Sequence, residues 1–134
     1  MTLKPHVAIN VSDLDASVHF YRHLFGEEPA KVRADYAKFD LDEPALNFTL
    51  NVGGEVQGGI NHLGIQVGSK EEVLASKERL QQAGLATFDE MDTSCCYARQ
   101  DKIWVTSPDE HRWEVFYVKE DIEQQEKSNC CTSA

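Results

Sequence analysis

The alternation of apolar and polar residues occurs in two similar segments of the chain. Residues 6–11 and 62–67 both begin with a histidine and then place apolar side chains at every second position. Strict alternation predicts a β-strand with one buried face. In the first segment the apolar face carries Val7, Ile9 and Val11, so His6 lies on the opposite face. The chain is therefore predicted to contain two related halves, each opening with a strand that carries a histidine.

A helical pattern follows each of these strands. In the first half, Asp13 or Asp15 can cap a helix that includes residues 17–25 and ends at Gly26. In the second half, Ser69 precedes a helix with an apolar stripe, which ends before Gly84. Asp and Ser satisfy the free N–H groups at a helix start, and Gly adopts the backbone that ends a helix. Each helix is expected to cover the apolar face of its strand.

Three short strand-like segments follow each helix, separated by turns at 42–44 and 107–109. They lie at 30–33, 36–41 and 46–52 in the first half, and at 86–90, 102–106 and 113–118 in the second. Both halves thus have the order βαβββ, which predicts an α+β fold. We expect one domain over residues 1–120, with modules at about 3–53 and 60–118, and a polar tail over 121–134.

Composition and charge narrow the functional classes. The chain has 134 residues and a formal net charge of −10, which argues against nucleic-acid binding because phosphates require clustered Lys and Arg. No apolar segment suits a membrane span or a signal peptide. The four cysteines form two adjacent pairs, which do not suit the disulfide framework of a secreted domain. A reducing, cytoplasmic location is expected.

The related strands place candidate metal ligands at equivalent positions. Aligning the last strand of each half puts Glu114 where the first half has Asn47. Two histidines and one carboxylate suit non-haem Fe(II) or a catalytic zinc ion, and they leave coordination positions open. His6, His62 and Glu114 are therefore the predicted ligands of one divalent metal ion. Each of these residues alone would be read as an ordinary structural residue. Their equivalent positions in the two halves are what predicts a metal site.

The remaining histidines lack this relation. His19 and His23 are expected on a helix surface and His111 in a turn, so none of them is assigned to the metal.

The cysteine pair Cys95–Cys96 lies in a loop-like stretch, residues 92–97, before the last two predicted strands. Neighbouring thiolates are soft donors that can chelate trivalent arsenic or cadmium. A buried apolar pair without a ligand is the alternative. The second pair, Cys130 and Cys131, is an accessory arsenical site or a dispensable feature of the tail.

The sequence resembles the vicinal oxygen chelate superfamily over about residues 3–118. That family includes glyoxalase I, extradiol dioxygenases and antibiotic-resistance proteins, and its fold implies two βαβββ modules in an open, cup-shaped mixed β-barrel. Within it, residues 6–117 are similar to the organoarsenical carbon–arsenic lyases, a branch close to the cadmium-induced proteins. The motifs that carry this similarity are KPH at 4–6, NHLG at 61–64, TSCCYA at 93–98, KIWV at 102–105 and residues 109–116.

The resemblance implies a reaction and assigns roles. It implies Fe(II) held by His6, His62 and Glu114, dioxygen as co-substrate, and cleavage of the carbon–arsenic bond of methylarsonite or a reduced aromatic arsenical to release arsenite. The Cys95–Cys96 pair would bind the arsenical. The side chains expected to shape the pocket are Tyr97, Lys102 and Trp104.

The protein is expected to be a monomer or a homodimer. Other functions stay open beside this one. A non-catalytic cadmium- or arsenic-binding protein would need only the cysteines, so the complete set of metal ligands argues against it. A glyoxalase-like isomerase is disfavoured by Asn47 at a position where a carboxylate would serve. A drug-binding relative without metal is disfavoured by the intact ligand set.

Overall fold

The computed structural model describes residues 3–53, 59–95, 97–108 and 110–121. Within them, two copies of the βαβββ order follow one another, as predicted. The elements are β1 Lys4–Val11, α1 Leu14–Phe25, β2 Lys31–Arg33, β3 Tyr36–Asp42, β4 Ala45–Val52, β5 Ile60–Gln66, α2 Lys70–Gln82, β6 Phe88–Cys95, β7 Ala98–Thr106 and β8 Arg112–Asp121.

The prediction of a loop at residues 92–97 is wrong for most of that stretch. Strand β6 continues to Cys95, and β7 already begins at Ala98, the residue that pairs with Cys95. The polar sequence before the cysteines has low intrinsic strand preference, but pairing with β7 overrides it. Cys95 is therefore the last residue of a strand and does not lie in a loop. Strand β8 extends to Asp121; residues 122–134, with Cys130 and Cys131, lie outside the described residues.

All eight strands belong to one mixed sheet in the order β2-β3-β4-β1-β5-β8-β7-β6. Strand β1 runs parallel to β4, and β5 runs parallel to β8, so each half has the same internal arrangement. The halves join through antiparallel pairing of β1 with β5, in which Ala8 is opposite His62. This arrangement confirms the predicted α+β fold with an open cup. It also brings the first strand of each half, and thus both histidines, to the centre of the sheet.

Local sequence signals determine where the helices begin and end. The Asp13 side chain accepts a hydrogen bond from the Ala16 amide at 3.0 Å, which identifies Asp13 rather than Asp15 as the cap of α1. Gly26 ends α1 with a φ of 72°, in the left-handed region that favours glycine. Ser69 caps α2 as predicted, accepting from the Glu72 amide at 3.2 Å. In the described part of the chain, neither helix is long and apolar enough to span a membrane.

The apolar cores lie on the outer side of the sheet, beneath the helices. One cluster packs beneath α1 and includes Phe39 and Leu50, and the other packs beneath α2 and includes Val73 and Ile103. The inner side is instead lined by buried polar and charged side chains. These include His6, Asn47, Thr49, His62, Gln100, Lys102 and Glu114. Because burying polar groups is costly unless they are paired, this concentration marks the candidate functional site.

Candidate metal centre and thiol turn

Three predicted ligands meet on the inner face of adjacent strands. His6 is on β1, His62 on β5 and Glu114 on β8. The Nε2 atoms of the two histidines are 3.0 Å apart, and Glu114 Oε2 lies 3.2 Å from His6 Nε2 and 2.8 Å from His62 Nε2. All three residues are buried, and their ligand atoms lie within 4.8 Å of one another. That they bind a metal stays a prediction.

The hydrogen bonds of the histidines orient their ring nitrogens. His6 Nδ1 lies 3.0 Å from the carbonyl oxygen of Asn47, which can only accept, so this nitrogen donates. His62 Nδ1 donates to Asn61 Oδ1 at 2.8 Å. Burial lowers the pKa of His62, the dominant effect, although the Glu114 carboxylate opposes it. With both Nδ1 atoms directed at oxygen acceptors, both Nε2 atoms face each other and the carboxylate.

This arrangement fits a divalent cation. Three potential ligand atoms converge in a buried space, where a carboxylate is stabilised by a positive charge close to it. Imidazole nitrogen and carboxylate oxygen are ligands that iron and zinc accept, and outer partners on both histidines are typical of metal sites.

The carboxylate of Glu114 is ionised and anchored by a lysine. Lys102 Nζ lies 2.7 Å from Glu114 Oε1, and both side chains are almost fully buried. Burial by itself raises the pKa of Glu114, but Lys102 and the two histidines outweigh it and hold the pKa well below its usual range. One carboxylate oxygen is thus held by Lys102, while Oε2 faces the histidines. Lys102, predicted only to shape the pocket, contacts a candidate ligand directly.

Gly64 makes room for the carboxylate, a role that the sequence pattern alone did not indicate. It lies on β5 between His6 of β1 and Glu114 of β8. A Cβ atom on Gly64 would be 2.7 Å from Glu114 Cγ, 2.9 Å from the Glu114 carbonyl oxygen and 3.3 Å from His6 Cδ2. Only glycine therefore allows the two ligands to approach here without a shift of the sheet.

Replacing Gly64 with alanine is expected to weaken metal binding about tenfold or more. The new methyl group must displace Glu114, and such overpacking typically costs about 1–3 kcal/mol of folding stability. Metal affinity by competition with a chelator, together with urea unfolding, measures both effects.

The matched control is Gly84→Ala. Gly84 has a φ of 84° and nothing within 4 Å of an added Cβ, so its substitution strains the backbone away from the site. We expect lower stability but wild-type metal affinity in this control. Equal loss of metal affinity in both variants would contradict the role given to Gly64.

The strand register places Thr49, and not Asn47 as the sequence alignment predicted, at the position equivalent to Glu114, because Ala8 pairs with Thr49 as Gly64 pairs with Glu114. Asn47 lies two residues earlier on the same strand. Its side-chain amide donates to Gln66 Oε1 at 3.1 Å, and its main-chain carbonyl orients His6. It lines a small cavity over the candidate centre. That cavity is lined by His6, Tyr36, Lys38, Asn47, Thr49, Ala98, Gln100, Lys102, Glu114, Phe116 and Val118. The protein thus supplies three candidate ligands and a polar space beside them.

Trp104 lies beside the site. Its ring packs edge-on against His62, with 5.3 Å between the ring centroids, and its indole nitrogen donates to Glu90 Oε1 at 2.7 Å. The guanidinium of Arg112 lies 4.3 Å from the Trp104 ring centroid. Trp104 contacts a candidate ligand but does not line the cavity with His6 and Glu114, so its role in shaping the pocket stays a prediction. His19, His23 and His111 are exposed, and His111 lines a second cavity together with His62.

The backbone pairing partner of Cys95 lines the same cavity. Cys95 ends β6 and pairs with Ala98, which lines the cavity together with His6 and Glu114. Cys96 lies outside the described residues, and of Cys95 only the backbone is described. Their assignment as substrate ligands therefore stays a prediction, as do the roles of Cys130 and Cys131.

The paired βαβββ modules and their open mixed sheet define the vicinal oxygen chelate fold. The chain belongs to the Glyoxalase/Bleomycin resistance protein/Dioxygenase superfamily, whose family model matches residues 5–115.

Curated relatives match nearly the whole chain. The probable trivalent organoarsenical cleaving enzyme of Bacillus subtilis (strain 168) is 51% identical, covering 96% of this chain and 90% of its own length. The trivalent organoarsenical cleaving enzyme of Bacillus sp. (strain MD1) is 48% identical, covering 95% and 89%. The cadmium-induced protein CadI of Mycobacterium bovis is 47% identical, covering 87% and 77%. The similarity therefore extends over both modules.

Solved structures share the fold at lower sequence identity. The Mn(II)-bound glyoxalase from Novosphingobium aromaticivorans superposes with a TM-score of 0.65 at 23% identity, over 91% of this chain and 41% of that chain. Homoprotocatechuate 2,3-dioxygenase from Arthrobacter globiformis gives 0.66 at 22% identity, over 90% and 37%. These likenesses establish the architecture.

Proposed function

We propose that this protein is an Fe(II)-dependent, oxygen-using enzyme that cleaves the carbon–arsenic bond of trivalent organoarsenicals and releases arsenite. The observation that carries the proposal is the buried cluster of His6, His62 and Glu114 at a cavity whose lining includes Ala98, the residue that pairs with Cys95. Relatives with 51% and 48% sequence identity to this chain are named organoarsenical cleaving enzymes, which supports the substrate class.

His6 Nε2, His62 Nε2 and Glu114 Oε2 would hold the metal. Bound Fe(II) would supply the binding and activation of dioxygen, for which a site with three protein ligands leaves room. Asn61 and the Asn47 carbonyl keep the Nδ1 atoms of the histidines protonated, so that both Nε2 atoms face the metal. Lys102 holds the second carboxylate oxygen of Glu114, which favours a single Glu114 oxygen as ligand.

Cys95 and Cys96 would bind the arsenical as thiolates. Trivalent arsenic is thiophilic: each sulfur replaces one hydroxyl group on arsenic, and the proton that the thiol loses leaves with that hydroxyl as water. The organic substituent stays on arsenic beside the cavity. Holding the arsenical and the metal in one cup replaces a bimolecular encounter by a local reaction. We place this chemistry in the cytoplasm, where a reducing environment keeps adjacent thiols reduced.

The second candidate function is sequestration of cadmium or arsenic without turnover, and the relative named cadmium-induced protein favours it. Sequestration requires the thiols but gives no reason for a buried His–His–Glu cluster with outer hydrogen bonds and a lysine partner. Glyoxalase-like isomerisation is less well supported, because the position equivalent to Glu114 by strand register carries Thr49 and no carboxylate.

Oxygen uptake separates these functions. Protein purified without oxygen, loaded with Fe(II) and mixed with methylarsonite is expected to release arsenite with uptake of oxygen when air is admitted. Arsenical binding without oxygen uptake or arsenite would leave only sequestration. Conversion of methylglyoxal–glutathione adduct in place of methylarsonite would support the isomerase instead.

Removal of the residues after Lys127 is expected to leave turnover of methylarsonite within about twofold of the full chain. The tail adds Cys130 and Cys131, but the proposed site is complete without them. Steady-state rates of arsenite release at saturating and limiting methylarsonite measure this. A large rise in KM for the truncated chain would show that the tail thiols deliver substrate.

A further inference from the structure

The residue that follows the cysteine pair is held by the opposite edge of the sheet. The Tyr97 carbonyl accepts a hydrogen bond from Lys31 Nζ at 3.0 Å, and the Tyr97 hydroxyl donates to Asp35 Oδ1 at 2.7 Å. The Tyr36 ring packs against the Tyr97 ring with 5.7 Å between centroids, and the Arg33 guanidinium lies 5.3 Å from the Tyr97 ring centroid. The main-chain carbonyl and the side-chain hydroxyl of Tyr97 thus both contact the β2–β3 hairpin.

Lys31 joins this contact to the end of β8. Its ammonium also lies 2.8 Å from Asp121 Oδ1, and the lysine side chain is only 5% exposed. Strand β2 is one edge of the sheet and β6 is the other, so these bonds bridge the two edges across the open side of the cup. We name Lys31, Asp35, Tyr97 and Asp121 the edge clasp.

The backbone at Tyr97 requires such support. Its φ is 59°, in the left-handed region that residues other than Gly and Asn rarely adopt. Bonds at both its carbonyl and its hydroxyl keep Tyr97 in this conformation, and the neighbouring Ala98 lines the cavity. The clasp therefore fixes Tyr97 directly before the start of β7, whose first residue lines the cavity.

We propose that Lys31 and Asp35 are positioning residues for arsenical capture: by fixing Tyr97, they restrain the chain segment that immediately precedes it, which contains Cys95 and Cys96. The inference rests on the proposed function. Two thiolates must bind one arsenic atom at the same time, so affinity depends on how well this segment is organised before binding. A residue that restrains this segment therefore contributes to affinity without contacting the arsenical.

The test uses the full chain with Cys130→Ser and Cys131→Ser, so that only one thiol pair remains. The protein is loaded with Fe(II) without oxygen and titrated calorimetrically with methylarsonite. Lys31→Met and Asp35→Ala are each expected to weaken arsenical binding about 3- to 10-fold, the range for loss of one intramolecular hydrogen bond. Asp35→Asn is expected to restore most of the affinity, because its amide oxygen still accepts from the tyrosine hydroxyl.

The matched control is Lys77→Met, which removes the ion pair of Lys77 with Asp89, 2.6 Å apart, outside the clasp. This control is expected to keep wild-type arsenical affinity, and all variants are expected to keep wild-type iron affinity. In steady state the clasp variants should raise KM and leave kcat nearly unchanged. Unchanged arsenical affinity in Lys31→Met and Asp35→Ala, or an equal loss of iron binding, would overturn the inference.

Amide hydrogen exchange gives a readout that does not involve arsenic. The peptide that contains Tyr97 and Ala98 is expected to exchange about 3- to 10-fold faster in Lys31→Met and Asp35→Ala than in the parent protein or Lys77→Met. Unchanged exchange would refute the clasp. A parent protein that fails to bind methylarsonite refutes the proposed function, and hence the role in capture. Exchange then still decides whether these residues hold Tyr97 in place.

Discussion

Glu114→Gln is expected to abolish stoichiometric iron binding and to destabilise the metal-free protein by about 3–5 kcal/mol. The substitution replaces the anionic ligand by a neutral amide. Loss of a residue that only hydrogen-bonds to a ligand already costs roughly 10- to 100-fold in metal affinity, so loss of the ligand itself costs more. The stability cost has a separate cause. Lys102, 2.7 Å from Glu114 Oε1 and fully buried, would lose its counter-ion.

A double variant separates these two effects. Glu114→Gln combined with Lys102→Met removes both charges of the buried pair, so most of the lost stability should return. Iron binding should not return, because the ligand is still missing. Urea unfolding in the presence of a chelator measures stability, and iron content after gel filtration measures binding. Wild-type iron content in Glu114→Gln would remove Glu114 from the ligand set.

Cys95→Ser is expected to abolish high-affinity binding of methylarsonite while iron binding stays at the wild-type level. One remaining thiolate cannot chelate arsenic, and a serine hydroxyl is a hard, protonated donor that does not replace a thiolate. Turnover at limiting methylarsonite should fall by at least about 100-fold, because the arsenical is no longer held beside the metal. Calorimetric titration without oxygen and arsenite release with oxygen measure the two effects.

Cys130→Ser is the matched control for this substitution. It removes one thiol of the other adjacent pair and is expected to leave both iron binding and turnover nearly unchanged. Retained tight binding of methylarsonite in a chain that carries Cys95→Ser, Cys130→Ser and Cys131→Ser would eliminate thiol capture by the Cys95–Cys96 pair. Loss of iron in Cys95→Ser would instead indicate that Cys95 supports the metal site.

Much of the fold could be predicted because its signals are local. Alternating apolar positions indicated β1 and β5, and the cap residues Asp13 and Ser69 marked the helix starts. The repeat of these signals then related the two halves. Since equivalent strands take equivalent places in paired modules, the repeat also predicted that His6, His62 and Glu114 would meet, as they do.

The start of β7 and the strand conformation of the residues before Cys95 could not be predicted in the same way. The polar residues before Cys95 have no strand pattern of their own, and only pairing with β7 makes them a strand. Such pairing depends on residues that fold back onto them, so a loop was the natural expectation from local sequence.

The sequence by itself determined the two modules and the set of candidate ligands, because alternation, caps and a repeat act over short distances along the chain. The tertiary structure decided what surrounds those ligands. Lys102 pairs with Glu114, Gly64 leaves space for it, and Lys31 reaches Tyr97 from the far edge of the sheet. These contacts join residues from different strands and different modules. Their energies come from burial and close packing, which exist only once the strands have assembled into the folded sheet.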